Sequence, residues 1–183
     1  ALLYSTLYLQ VIHNQTPIIA AYISATLSFC WTIAALTCAS WKGLKVKFSI
    51  IVGGLLMVFG AIGLVFFAVN GPIILIILSL GLMGFGIGFS NIHVMSLTID
   101  CAEEGDSALV ASSIQTMRNR GLAFGSALAG LIANIAGLTQ GVEVDVISRA
   151  VDLIHIVGVI LAMLSLVSLI IFVFYYEKER QNH

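Results

Sequence analysis

Long apolar runs alternate with short polar breaks along this chain, and the alternation predicts its elements. Runs at residues 18–39, 48–69, 73–99, 117–138 and 150–176 are each long enough for a helix to cross a hydrocarbon core, which needs about 20 residues. A first run, residues 1–12, is too short to cross alone and reads as the end of a truncated span. The N-terminus has no initiator Met, basic n-region or small-residue cleavage site, so the run is not read as a signal peptide. Between the runs lie a polar turn ending in Pro17, a lysine loop at 42–47, the turn Asn70-Gly71-Pro72, an acidic loop at 100–106 and a second acidic segment at 141–148. Pro17 suits the first turn of a helix, where its missing N–H costs nothing. The pattern predicts an all-α polytopic membrane protein with a bundle of about six transmembrane helices.

Composition agrees. Sixty per cent of the residues are apolar and 9% are charged, whereas soluble domains carry about 25% charged residues. Charge also sets an orientation. Lys42, Lys45, Lys47, Lys178 and Arg180 fall on one side of the six-span pattern, with Arg118 and Arg120 at its boundary and only Arg149 opposite. By the positive-inside rule the lysine loop, the acidic loop and the C-terminal tail are expected to be cytoplasmic. The lipid bilayer is the expected surrounding, a bacterial inner membrane, and no nucleic acid is expected as a partner. Cys30, Cys38 and Cys101 form no CxxC pair, so neither a metal site nor a disulfide framework is expected.

The segment 106–137 is the most distinctive. It passes Arg118 and Arg120 and then becomes apolar and rich in small residues. Gly121 and Gly125 form a GxxxG pair, and Ser126, Gly130 and Asn134 share a second face. In lipid, small residues let helix backbones approach, so Gly121, Gly125 and Gly130 are expected to be packing positions. Gly53, Gly54, Gly60 and Gly63 are expected to pack likewise, and the glycine-dense 81–88 stretch to bend or pack closely. With no strand and no Lys beside it, that stretch is not a nucleotide loop, and no cofactor is expected. Arg118 and Arg120 face the acidic loop in the predicted order. Arg118 is expected to pair with Asp100, Glu103, Glu104 or Asp106 and hold two inner helix ends together.

One enzymatic pattern has to be weighed. Gly88-Phe89-Ser90-Asn91 in the fourth run and His155 in the sixth superficially match a six-helix intramembrane serine protease of the rhomboid type. At about 1.5 Å rise per residue, Ser90 lies roughly 25 Å from the outer end of its helix and His155 roughly 8 Å from its own, so the two cannot meet. An enzyme is not expected.

The segment Met117-Arg118-Asn119-Arg120-Gly121, running into Ala123-Phe124-Gly125, resembles the penultimate helix of major facilitator superfamily transporters. The order of elements resembles the C-terminal six-helix half of that superfamily, drug–proton antiporters in particular, across residues 1–183. Its lysine loop lacks the Asp-Arg pair typical of the family's equivalent loop. The resemblance implies a missing N-terminal six-helix half as partner, a small-molecule site between the halves at mid-membrane, and proton-coupled efflux by alternating access. It implies that Tyr4, Tyr8, Gln10, Asn134 and His93 supply polar lining to the cavity, with the coupling carboxylate in the other half. A six-helix channel and a structural membrane subunit share this composition and stay open.

Overall fold

The computed structural model describes residues 2–102, 105–138 and 143–182, with side chains at 5–102, 105–138 and 143–176. It consists of six helices: α1 Leu2–Val11, α2 Pro17–Cys38, α3 Leu44–Phe67, α4 Ile73–Asp100, α5 Ser107–Ile135 and α6 Val144–Asn182. No strand occurs among the described residues. The all-helical polytopic architecture therefore holds. Among the described residues four segments, Pro17–Cys38, Leu44–Phe67, Ile73–Asp100 and Val144–Tyr176, are long and apolar enough to cross a membrane.

Local chemistry sets the boundaries. Thr16 caps α2, its hydroxyl accepting from Ile19 N at 3.4 Å, and Pro17 takes the first turn. Pro72 occupies the cap of α4 in extended conformation, where it cannot continue the preceding helix. Gly43 caps α3 at φ 62°, a left-handed backbone, and supplies no side-chain cap.

α3 and α4 pack antiparallel at the centre, and glycine makes this possible. A Cβ at Gly53 would sit 2.7 Å from Gly86 O, and one at Gly86 would sit 2.6 Å from Gly53 O. The two backbones thus touch through reciprocal glycines. Gly60 and Gly63 meet Ser79 further along, and the Ser49 hydroxyl donates to Phe89 O at 2.8 Å near the lysine-loop end. On its other side α4 receives α2: Gly84 abuts Leu27 O, and Gly88 lies against Trp31 O and Ala34. Gly54 faces Leu166, while Val58, Ala61 and Ala162 join α3 to α6. The main core gathers at the other end of the bundle, where Tyr8 and Leu9 of α1 meet Ile23, Leu64, Ile76, Ile147 and Val151. The packing expected of the α3 and α4 glycines is therefore present.

α5 differs. It begins at Ser107, ten residues before the expected span at 117, because 107–116 continue the helix rather than forming a boundary loop. Thr116 Oγ1 bonds Ser112 O at 2.9 Å, which absorbs its hydroxyl within the helix. Only Ala129 and Ala133 of α5 are buried. At Gly121, Gly125 and Gly130, expected as packing positions, an added Cβ would find nothing within 4 Å among the described residues. A small-residue stripe permits close approach but does not name the neighbour.

The outward surface is apolar. Tyr22, Phe29 and Leu36 of α2, Phe66 of α3 and Phe174 of α6 are all exposed. Large apolar groups in water are costly at about 25 cal/mol per Å2, so this surface belongs in lipid.

Candidate functional site

A large groove opens between α2, α4, α5 and α6. It has a volume of 590 Å3 and an almost wholly apolar wall. Leu27, Met83 and Ile87 form one side, Gly121, Gly125 and Ser126 the α5 side, and Ile154 and Leu161 the α6 side. The glycines leave its α5 wall open where larger residues would fill it. Ligand pockets are commonly 300–1,000 Å3, apolar, with few polar groups that fix orientation. Ser126 is such a group on this wall.

A second opening lies at the lysine-loop end. It has a volume of 330 Å3 and is lined by Trp41, Lys42, Gly43, Val46, His93, Ser96, Leu97 and Asp100. Trp41 stacks on Phe89 at 5.9 Å beside it. His93 is 5% exposed, and its Nε2 is buried without a hydrogen-bond partner.

The residues expected to line one cavity are not brought together. Tyr8 is 1% exposed, packed in the main core, with its hydroxyl buried and unpartnered. Its ring meets His155 at 5.9 Å and His13 at 6.4 Å, both edge-on. Those imidazoles are satisfied elsewhere: His155 Nδ1 donates to Val151 O at 2.8 Å, and His13 Nε2 donates to Ala68 O at 2.8 Å. Gln10 donates to Thr6 O at 3.0 Å, within its own helix. Asn134 is exposed near the end of α5. The Tyr4 side chain lies outside the described residues.

The charged residues expected to form a network are described only in part. Arg118 makes no ion pair among the described residues. Its guanidinium lies 5.8 Å over the Trp31 ring, joining α5 to α2. Arg120 is exposed, Asp106 precedes α5 without a side-chain cap bond, and Asp100 belongs to the lysine-end opening. Glu103 and Glu104 lie outside the described residues. Ser90 and His155 are held apart as expected. The Ser90 hydroxyl donates to Gly86 O at 2.8 Å beside the glycine contact of α3, while His155 sits in the Tyr8 cluster at the other end.

What the sequence missed is the groove itself. Its signal is the small size of Gly121, Gly125 and Ser126, which suits an open wall as well as close helix packing. The opposing wall, Leu27, Met83 and Ile87, looks like any apolar stripe.

The chain is 30% identical over 139 residues to a probable multidrug-efflux transporter of Mycobacterium tuberculosis, in both strain CDC 1551 / Oshkosh and strain ATCC 25618 / H37Rv. The match covers 73% of this chain and 30% of each relative. No family model matches the chain. No solved structure matches it. The matched part is thus less than a third of the length of the curated relatives.

Proposed function

We propose that this chain is part of a membrane transporter of the major facilitator type that exports a small apolar molecule by alternating access, coupled to protons. The observation that carries the reading is the 590 Å3 apolar groove between α2, α4, α5 and α6. It can hold a drug-sized molecule by apolar contact, with Ser126 as an orienting group. The similarity to a probable multidrug-efflux transporter supports export as the direction. A second six-helix half completes the site, rocks against this one and carries the coupling carboxylate. The lysine loop 42–47, the acidic loop 100–106 and the C-terminal tail face the cytoplasm of a bacterial inner membrane.

The decisive measurement uses inverted vesicles carrying a protein that contains this chain and its partner half. A lipophilic dye such as ethidium is expected to accumulate saturably when a proton gradient is imposed, and to stop when the gradient is collapsed. Gly125→Trp, which fills the groove where an added Cβ finds nothing within 4 Å, is expected to abolish uptake while leaving the protein in the membrane. Unchanged transport in that variant would remove the groove from the pathway. Unsaturable ion conductance in place of uptake would favour a channel.

A further inference from the structure

We infer that the groove takes an amphiphilic anion, an apolar body ending in a single carboxylate, and that Arg118 receives the carboxylate. The inference rests on the transport reading above and narrows its substrate class. A side pocket of 240 Å3 between α3, α4 and α6 continues the groove towards the lysine-loop end. Ile87 lines both, and on α6 Leu161 of the groove is followed four residues later by Ser165 of the side pocket. The wall changes character there. Ser126 is the polar side chain of the groove, while the side pocket carries Ser90, Asn91 and Ser165. The Ser90 hydroxyl is satisfied by Gly86 O. Asn91 and Ser165 are half-buried, and neither side chain has a hydrogen-bond partner among the described residues. Unpartnered polar groups in a membrane-spanning bundle are costly, so this end of the groove offers donors to a guest.

Arg118 brings a charge to the same end. Gly121, Gly125 and Ala129 line the groove, and Arg118 precedes them by three, seven and eleven residues, which puts all four on one face of α5. Trp31 stands four residues after Leu27, a groove residue of α2. α2 and α5 form separate walls, and the Arg118 guanidinium reaches from one to the other to lie 5.8 Å over the Trp31 ring. At about 1.5 Å per residue, Arg118 lies about 25 Å from the Ile135 end of α5 and Asn91 about 27 Å from the Ile73 end of α4. Those ends share one side of the bundle, so the two side chains share a level, inside a hydrocarbon core about 30 Å thick. A charge at that depth marks a functional position and calls for a partner. An indole face attracts a cation but carries no anion, and no acidic side chain lines the groove or the side pocket. A carboxylate supplies the missing anion. Its two oxygens match the paired N–H groups of a guanidinium, and their remaining lone pairs suit an amide and a hydroxyl donor. The apolar tail then runs along Leu27, Met83 and Ile154. Bodies without a carboxylate still enter the apolar part, more weakly.

The test is NMR titration of the purified 183-residue chain, isotope-labelled at arginine and tryptophan, in neutral maltoside micelles at alkaline pH. One arm adds dodecanoate and the other dodecanol, which share a tail and differ at the head. The Trp31 indole N–H is the common readout, and Trp41, which lines the lysine-end opening, is the reference. Dodecanoate is expected to shift the Trp31 and Arg118 signals saturably, at about a tenth of the concentration dodecanol needs, the effect of one charge-assisted bond. Arg118→Gln, read at Trp31, is expected to weaken dodecanoate about tenfold and leave dodecanol unchanged. Asn91→Leu is expected to weaken dodecanoate alone, also about tenfold. Equal affinity for the two compounds, or an Arg118→Gln variant that keeps the preference for dodecanoate, overturns the inference and leaves the groove as a transport site for apolar molecules. A Trp31 signal that moves in neither arm overturns the inference together with the groove.

Discussion

The Tyr8 ring meets the His155 imidazole edge-on, with centroids 5.9 Å apart and planes at 81°, so the first and last helices touch through two aromatic groups. The contact satisfies both rings as apolar bodies and leaves the phenol hydroxyl buried without a partner. An unmade bond at a buried group costs about 1–3 kcal/mol. Tyr8→Phe keeps the ring contact and removes the orphan, so it is expected to stabilise the chain. For a protein of this size each kcal/mol shifts the melting midpoint by about 2–4 °C. Thermal unfolding in detergent checks it. A lower midpoint in Tyr8→Phe would mean the hydroxyl has a partner, such as an internal water.

The sequence carried the fold further than the site, and the Tyr8 cluster shows why. Element order followed from local signals: a length of apolar run, Pro17 and Pro72 at helix starts, Gly43 before α3. Each acts within a few residues of itself. Tyr8 and His155 meet across almost the whole chain, and nothing local to either records the other. A tyrosine in an apolar run is equally compatible with a wet cavity wall and a dry core. Likewise Arg118 has acidic groups near it in sequence and an indole near it in space. Charge order points to the first; among the described residues the guanidinium lies over the second.

Glycine substitutions should separate two kinds of glycine that the sequence made look alike. Gly86→Ala places a methyl 2.6 Å from Gly53 O, on a backbone that cannot rotate away. α3 and α4 must then part, at a cost of about 1–3 kcal/mol. Gly121→Ala adds the same methyl with nothing within 4 Å and is expected to leave stability within about 0.5 kcal/mol of the parent. Denaturation midpoints in a common detergent compare the two. Equal losses would show that α5 has a partner against its glycine face.

Arg118 and Trp31 form a cation–π pair at 5.8 Å, the side-chain link from α5 to α2. Such pairs at exposed sites contribute about 0.5–1 kcal/mol. In a double-mutant cycle, Arg118→Ala and Trp31→Leu should each destabilise slightly and couple by about that amount. Arg118→Ala paired with Asp106→Asn should show no coupling. Coupling to Asp106 instead of Trp31 would restore the ion-pair arrangement expected from charge order.

Membrane orientation rests on charge, and the structure supplies the probes to test it. Lys45 is exposed in the lysine loop, and Cys101 is an exposed free thiol directly after Asp100, whose side chain shares the lysine-end opening with Lys42. Lys45→Cys and native Cys101 therefore report on one end of the bundle. Glu143, exposed just before α6, reports on the other. Cys38 is buried and Cys30 half-buried, so serine replacements there remove background at modest risk. If the lysines are held inside by the positive-inside rule, an impermeant maleimide on intact cells labels Glu143→Cys alone. Lys45→Cys and Cys101 then label only after permeabilisation. The two probes at the lysine end must agree, because α3 and α4 are antiparallel and bonded there through Ser49 and Phe89 O at 2.8 Å. Labelling of both from outside would invert the orientation and place the opening around His93 on the external face, while leaving the fold unchanged.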